Sequence, residues 1–309
     1  MTRADTTDPT LEIRFMCNAI ISWTGKTAGF VGVFLTATIF WAFLASPVVA
    51  DSALRDGVGS AEAQAHAFMA LDPPDWDSAR TAFEEAAEAG SPTAMSHLGW
   101  MYDEGHGVAR DGALAVHWYG RAARAGAHDF AMKVGWMYLS GDGVTRDRDK
   151  AEYWFNHAIE AGHAPARTAW ASVLIADALG GRDTERVFEA RSLLEEALDQ
   201  EQLLASYFLA RLYIEGIGGH PIEDEMAAHY TRIGAEDGHA QMQGWLAFMY
   251  YNGQGVEADL VTAAKWANLA AAAGDSLGNQ LRLVLDEQLE PDQIQEARRR
   301  AVEWALARP

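Results

Sequence analysis

The segment GWMYDEGHGVARDGALAVHWYGRAARAG (99–126) appears three times in this chain, with changes at some positions. It begins again at Gly135 as GWMYLSGDGVTRDRDKAEYWFNHAIEAG, and a third version begins at Ala247 as AFMYYNGQGVEADLVTAAKWANLAAAAG. The first two copies are 36 residues apart. Self-similarity at such a period is typical of stacked supersecondary units, because each unit buries its apolar face only against its neighbours. The sequence therefore predicts a repeat protein.

The glycine that closes each segment sets the register of the array. Gly90, Gly126 and Gly162 are 36 residues apart, and the same spacing separates Gly238 from Gly274. The longer gap between Gly162 and Gly238 predicts two further units. The first of them is a degenerate copy of the motif without a clear glycine loop, and we call it the worn copy. The predicted solenoid covers 61–275, in units of about 61–90, 93–126, 129–162, 165–200, 203–238 and 241–274.

Each unit is predicted to be a pair of antiparallel helices. The first helix carries apolar residues at helical spacing, and a glycine pair such as Gly105 and Gly107 ends it, since glycine accepts the positive φ of a helix C-terminus. An aspartate then stands where the second helix needs an N-cap, and an aromatic residue follows at a position that the helix should bury. The aspartates are Asp111, Asp147 and Asp259, and the aromatic residues are Trp118, Trp154, Tyr230 and Trp266. The predicted fold class is all-α, an α-solenoid of helix pairs preceded by one N-terminal hydrophobic helix.

The pattern (L/V)GxMYxxGxGV, the capping aspartate, the aromatic residue and the final AAxxG are similar to the Sel-one-like repeat (SLR) of the tetratricopeptide-like superfamily. The resemblance covers about 61–275, and it weakens in the third unit and at GIGG (216–219). It implies an α-solenoid that binds other proteins, and bacterial relatives are often exported to the cell envelope for signalling or assembly. The family shares no catalytic residue set. A cysteine-rich branch has been linked to β-lactam binding, but this chain lacks those cysteines.

An apolar segment near the N-terminus predicts export. Residues 28–45 are almost wholly apolar. The length of this segment is close to the roughly 20 residues that a helix needs to cross a bilayer. Lys26 precedes the segment, and the small residues Val48 and Ala50 stand where a signal peptidase would cut. We expect residues 28–50 to be a cleaved signal peptide or a retained transmembrane anchor, and both alternatives remain open. The segment separates a cytoplasmic lead (1–27) from a linker (51–60) and the repeats.

Either alternative places the repeats on the far side of the cytoplasmic membrane, because basic residues precede the apolar segment and acidic residues follow it. The predicted location is periplasmic, or anchored in the inner membrane with the repeats on the periplasmic side. Contact with the membrane is expected only through residues 28–50, if they are not removed.

The net charge of the chain indicates which classes of partner it can bind. It carries 44 acidic and 24 basic residues, a net charge of −20. Such a surface repels phosphate backbones and anionic headgroups, which argues against nucleic acid and peripheral membrane binding and favours a protein partner, a basic one in particular. The only basic run, Arg298 to Arg300, lies in the predicted C-terminal capping helices (276–309), the last of which begins after Pro291, and is expected to be a solvated face.

No pattern in the chain points to catalysis. The ten histidines are scattered without an HExxH pair, and most are expected at surface or satisfied repeat positions. Gly25-Lys26-Thr27 lacks the leading glycine and preceding strand of a phosphate loop. We therefore predict no catalytic residue, no metal and no cofactor, and a protein that is not an enzyme.

The candidate binding residues come from the helical periodicity of the first helices. When the tyrosine of each unit faces the core, the residue two positions earlier lies at about 160° from it, on the opposite side of the helix. Aromatic residues and arginine recur on that side, with acidic neighbours, which is the composition of an interface hot spot. The predicted partner-binding residues are Trp100, Trp136, Tyr207, Arg211, Phe248, Glu104 and Glu215. The alternative is that these rings pack between neighbouring first helices.

The prediction for function is an exported scaffold or regulator of the bacterial envelope that binds a partner protein on the concave face of the solenoid. A receptor ectodomain or a component of envelope assembly is the expected partner. The alternative is a carbohydrate or peptidoglycan-fragment binder, since exposed tryptophan rings can stack on sugars. A β-lactam hydrolase is a third reading, suggested only by distant relatives.

Overall fold

The computed structural model describes residues 58–308, which form fourteen α-helices and two short 3-10 turns. The predicted lead, the apolar segment 28–50 and most of the linker lie outside the described residues. The 3-10 turns are Thr184–Arg186 and Ile217–Gly219. In chain order the helices are α1 Val58–Met69, α2 Trp76–Glu88, α3 Pro92–Glu104, α4 Gly112–Arg124, α5 Asp129–Ser140, α6 Arg148–Glu160, α7 Ala164–Leu179, α8 Val187–Asp199, α9 Leu204–Glu215, α10 Asp224–Asp237, α11 Ala240–Asn252, α12 Leu260–Ala272, α13 Ser276–Gln288 and α14 Pro291–Leu306.

The predicted all-α solenoid of helix pairs is confirmed over this range, and no strand is present between residues 58 and 308. None of the described helices is both long and apolar enough to cross a bilayer. The described residues form two compact units, 58–166 and 167–308. Helices α1–α6 belong to the N-terminal unit, and α8–α14 belong to the C-terminal unit.

The N-terminal unit stacks three hairpins, α1–α2, α3–α4 and α5–α6, in chain order. A first core cluster between α1 and α4 contains fully buried Phe83, Leu98 and Met101. A second cluster between α4 and α6 contains Val134 and Met137. Each hairpin therefore buries its apolar side against the next one, as the repeat period predicts.

The C-terminal unit continues the same arrangement. Arg167 on α7 forms an ion pair with Glu196 on α8, and the hairpins α9–α10 and α11–α12 pack in succession. Helix α13 lies on α11 and α12, and α14 lies on α12, where the Trp304 ring meets Trp266 at 5.6 Å. Pro291 occupies the first turn of α14, where its missing N–H costs no helical hydrogen bond. The run Arg298–Arg300 is exposed and forms ion pairs with nearby acidic residues, as expected of a solvated face.

The predicted helix caps are confirmed in the clear repeats. Asp111 accepts hydrogen bonds from the backbone N–H groups of Ala113 and Leu114, both at 3.0 Å. Asp147 and Asp259 cap α6 and α12 in the same way. The aromatic residues of the second helices are buried at Trp154, Tyr230 and Trp266, whereas Trp118 is only half-buried, with the Arg121 guanidinium 4.7 Å above its ring.

The second glycine of each loop has a role that the sequence did not reveal. A methyl group on Gly143 would lie 2.8 Å from the Gly112 Cα, at the start of the preceding second helix. Gly255 approaches the backbone of Asp224 in the equivalent place, and Gly107 approaches the side chain of Trp76. Glycine is needed here because the loop of one hairpin touches the start of the second helix of the hairpin before it, and a side chain would separate them.

The residue between the two glycines also reaches back to the preceding hairpin. Asp142 accepts a hydrogen bond of 2.8 Å from Arg110, and the Gln254 amide donates one of 2.8 Å to Asp224. The His106 ring stacks on Trp76 with their centroids 4.9 Å apart. Three chemically different side chains therefore make the same inter-repeat contact.

Two connections depart from this plan. Between α7 and α8 the chain uses Asp183 at φ 45° and a 3-10 turn, and α8 has no side-chain cap. Between α9 and α10 the residue in the capping position is Glu223, whose side chain makes no cap hydrogen bond. The loop before it packs on the first connection, since a methyl group on Gly218 would lie 2.9 Å from the carbonyl oxygen of Thr184.

Candidate functional site: the exposed edge of the first helices

The first helices expose only a narrow strip to solvent. On α3, the buried residues include Leu98 and Met101 but also Ser96 and Asp103, which lie far round the helix from the leucine. The helix is enclosed because it packs against both α2 and α4. We call the remaining exposed or half-buried residues of the first helices the first-helix edge, and describe it separately in each unit. In the N-terminal unit it contains Trp100, Glu104, Trp136 and Ser140 on α3 and α5, and in the C-terminal unit Tyr207, Arg211, Glu215, Trp245 and Phe248 on α9 and α11.

Trp100 is half-buried rather than fully exposed. Its ring lies 6.0 Å from Trp76 and 4.2 Å from His106, measured between centroids. It also borders both core clusters of the N-terminal unit. Glu104, one helical turn further on, is exposed. On α3 the edge therefore combines the Trp100 ring, which is held by its neighbours, with the solvent-exposed carboxylate of Glu104.

Trp136 is half-buried on α5 because its ring packs edge-to-face on Phe155, with the centroids 5.3 Å apart. Phe155 itself is fully buried, and it lies so close to α5 that a methyl group on Gly135 would come within 2.8 Å of its ring. The repeated Gly-Trp pair therefore lets the second helix approach and holds the tryptophan ring in one orientation.

In the C-terminal unit, rings from neighbouring first helices do pack on each other. Tyr207 on α9 stacks on Trp245 of α11 with the centroids 5.4 Å apart and the planes 14° apart. His239 stacks on the same tyrosine at 5.5 Å. Burial in this stack raises the pKa of the Tyr207 hydroxyl. The alternative interpretation of the aromatic pattern is therefore the one found at Tyr207.

Arg211 and Glu215 form a pair on α9 with two hydrogen bonds. The Nε–Oε1 distance is 2.7 Å and the second hydrogen bond is 2.9 Å, while the guanidinium lies 6.0 Å from the Tyr207 ring. Such a two-point contact fixes the planar guanidinium and holds it beside the ring. Phe248, one turn after Trp245, is 42% exposed and is the most open of the predicted aromatic residues.

The structure thus brings Tyr207, Arg211 and Glu215 together, and it adds Trp76, His106 and Trp245, which the sequence reasoning missed. Trp245 could have been found, because it lies three residues before Phe248 and therefore on the same side of α11. Trp76 could not, because it comes from another hairpin.

The described histidines do not form a metal centre. Within residues 58–308, no group of three or more histidine, cysteine or acidic side chains is arranged to hold a metal ion. The buried ring of His97 lies edge-on to His66 at 4.7 Å, and burial lowers its pKa to about 4. His163 and Asp129 meet at 3.1 Å in a connection between hairpins. These contacts belong to helix packing.

Comparison with known proteins agrees with this architecture. Residues 92–126, 128–163, 203–239 and 240–275 each match the family described as the Sel1 repeat. No match was found among curated protein sequences.

The solved structures that are similar to the chain include the following two. One is a protective antigen present in uropathogenic Escherichia coli strains and displaying an SLR fold, with 24% identity, a TM-score of 0.61, and 80% of this chain matched to 52% of that one. This chain thus spans about half the length of that antigen. The other is a Sel1 repeat protein from Oxalobacter formigenes, with 24% identity, a TM-score of 0.55, and coverage of 68% of this chain and 86% of that one.

At this level of identity the two structures show the shared fold, while the four matched segments show the repeat itself. Each matched segment corresponds to one of the helix pairs described above. Sel1 repeat scaffolds are typically non-catalytic, and they generally mediate protein–protein interactions. The chain is a Sel1 repeat protein with four recognisable copies of the motif.

Proposed function

We propose that this chain is an exported scaffold or regulator of a bacterial envelope that binds a partner protein along the first-helix edge. A receptor ectodomain or a component of envelope assembly is the proposed partner. The repeats would lie in the periplasm, either free or tethered to the inner membrane through residues 28–50.

The observation that carries this proposal is the combination of held aromatic rings and a fixed, ion-paired arginine in one patch of the C-terminal unit. Tyr207, Trp245 and the Arg211–Glu215 pair occupy one patch, and Phe248 lies beside it. Tryptophan, tyrosine and arginine dominate interface hot spots. Because the rings are already held by their neighbours, binding of a partner would cost these rings little further side-chain entropy.

The proposed location rests on the sequence of the N-terminal region. The apolar run and the basic residues before it fit a segment that sends the following residues outward. Fusion of alkaline phosphatase after residue 57 tests this, because the enzyme becomes active only outside the cytoplasm. An inactive but stable fusion would contradict export.

The partner-binding surface can be tested by site-specific photo-crosslinking in cells. A photoreactive amino acid at position 248 should capture an envelope protein, and Phe248→Ala together with Trp245→Ala should abolish recovery of that protein in a pull-down. Position 283 on α13 is a matched control, since Leu283 is also exposed but lies off the edge. Identical adducts from positions 248 and 283 would exclude the edge as the binding surface.

The carbohydrate alternative is favoured by the half-exposed rings of Trp100 and Trp136. Titration with peptidoglycan fragments, followed by tryptophan fluorescence, separates the two proposals. A saturable change that disappears in Trp136→Ala would support sugar binding over the protein scaffold.

A further inference from the structure

Three large apolar side chains are exposed at the two irregular connections of the C-terminal unit, α7–α8 and α9–α10. Leu179 ends α7, Phe188 lies in the first turn of α8, and Ile222 precedes α10. They are 40%, 47% and 65% exposed, respectively. We call the segments 179–189 and 216–225 the acidic loop edge.

The two segments pack together and form one surface. Gly218 packs against Thr184, Ala178 and Val187, which joins the second loop to the first connection. The His220 ring lies 5.8 Å from Phe188 and meets Tyr213 edge-on at 4.6 Å. The exposed apolar side chains are therefore supported from below by packed rings and backbone.

The surface around these side chains is strongly acidic. Its carboxylates are Asp183, Glu185, Glu189, Glu223, Asp224 and Glu225, and its basic residues are Arg182 and Arg186. Both guanidiniums already form ion pairs within the chain, Arg182 with Asp177 at 2.7 Å and Arg186 with Glu189 at 2.9 Å. The edge therefore presents an excess of negative charge beside apolar groups.

His220 holds the two segments together beneath this surface. It is 3% exposed, and its Nδ1 lies 3.0 Å from the carbonyl oxygen of Pro221. Because its ring contacts both Phe188 of the first segment and Tyr213 of α9, it fixes the position of the exposed Phe188 ring.

At the positions of Ile222 and Phe188 the clear repeats carry no large exposed apolar side chain, although Leu114 is 39% exposed in the first turn of α4. Relative to the capping position, Ile222 corresponds to Arg110, Arg146 and Ala258, and Phe188 corresponds to Ala113, Asp149 and Val261. An exposed isoleucine and phenylalanine contribute little to folding, and such exposed apolar groups characterise interaction surfaces. Their presence at the two connections whose following helices have no side-chain cap distinguishes this surface from the connections of the clear repeats.

We infer that the acidic loop edge docks a basic amphipathic segment of a partner protein. Apolar side chains of that segment would pack on Phe188 and Ile222, while its lysine or arginine residues would face the surrounding carboxylates. The charge argues against the other occupants, since an anionic lipid surface, a nucleic acid or a second copy of this net acidic chain would bring like charges together. This surface is separate from the first-helix edge and does not depend on it.

The test measures binding of two designed peptides to the full chain in a nonionic detergent by fluorescence anisotropy. One peptide carries leucine on one helical face and lysine on the other, and the second replaces lysine with glutamate. The lysine peptide should bind and the glutamate peptide should not. Phe188→Ala combined with Ile222→Ala should weaken binding about tenfold or more, as for hot-spot residues. Leu283→Ala with Val302→Ala is the matched control, because these side chains are 53% and 57% exposed elsewhere.

The electrostatic part has its own variant. Glu223→Gln with Glu225→Gln should weaken binding and reduce its dependence on salt, since fewer charge contacts are then lost to screening. Equal binding of the lysine peptide to the wild type, the Phe188/Ile222 variant and the control would overturn the inference. So would sedimentation showing a dimer that only the Phe188/Ile222 variant dissociates, because the occupant would then be a second copy.

Discussion

Two connections, α5–α6 and α7–α8, each join the two helices of a hairpin, but they do so with different residues. The first uses Gly141, Gly143 and the capping Asp147, whereas the second uses a strained Asp183 and a 3-10 turn. Yet both hairpins bury their cores completely, as Phe155 in the first and Trp170 in the second show. This difference indicates that packing between the two helices maintains each hairpin, and that different loop residues are tolerated where that packing is made.

The strongest test of this comparison is to remove one core ring from each hairpin. Phe155→Ala and Trp170→Ala should each lower the free energy of unfolding by about 3–5 kcal/mol, because both leave large cavities. Urea denaturation followed by circular dichroism measures the loss, and hydrogen exchange shows which unit opens. Tyr153→Ala is the control, since that ring is exposed and its loss should cost about 0.5 kcal/mol or less. A small effect of Trp170→Ala alone would mean that the worn hairpin is not held by its core.

The loops themselves should differ in their tolerance of a methyl group. Gly143→Ala should cost about 2–4 kcal/mol, because it combines a positive φ with a collision against the Gly112 backbone. Gly181→Ala should cost only about 1–2 kcal/mol, since its φ is also positive but nothing lies within 4 Å. Thermal denaturation of the two variants gives the difference. Equal losses would show that the close approach of consecutive loops contributes nothing.

Substitutions at the N-cap positions of α4 and α10 should change the free energy of unfolding in opposite directions. Asp111→Ala should destabilise the protein by about 1 kcal/mol, because two backbone N–H groups lose their acceptor. Glu223 occupies the same backbone conformation without a cap hydrogen bond, so Glu223→Asp should stabilise α10 by up to about 1 kcal/mol. Chemical denaturation measures both, and Glu223→Gln serves as the control for charge. A loss of stability in Glu223→Asp would contradict the explanation that α10 lacks only a suitable capping side chain.

The smallest expected effect is at the end of α8. Glu201 has a φ of 62° at the position where the other hairpins close with glycine. Glu201→Gly should therefore raise the free energy of unfolding by about 1 kcal/mol at most, since the strain of a left-handed conformation exceeds the entropy cost of glycine only slightly. Differential scanning calorimetry would detect the shift, with Glu201→Ala as a control that should gain nothing.

Much of the fold could be predicted because its signals are local and repeated. The glycines with positive φ, the aspartate caps and the helical spacing of apolar residues all appear in the sequence at the predicted places. The worn unit was placed from its spacing, and its closing position at Glu201 retains the left-handed conformation without glycine.

The candidate site was less predictable. Helical periodicity placed Trp100 and Phe248 away from the core, but it could not show that Trp100 would lie beside Trp76 and His106. Nor could it show that Tyr207 would stack on Trp245 while Phe248 stayed open. These contacts join residues from different helices, so spacing along one helix does not contain them.

The helical hairpin and its repetition can be predicted from the sequence, because caps, turns and periodicity act within a few residues of each other. Which side chains remain exposed follows from the packing of the hairpins, since exposure depends on how neighbouring helices fill the space around each helix. The same packing explains why Gly112 and Gly143 must both be small.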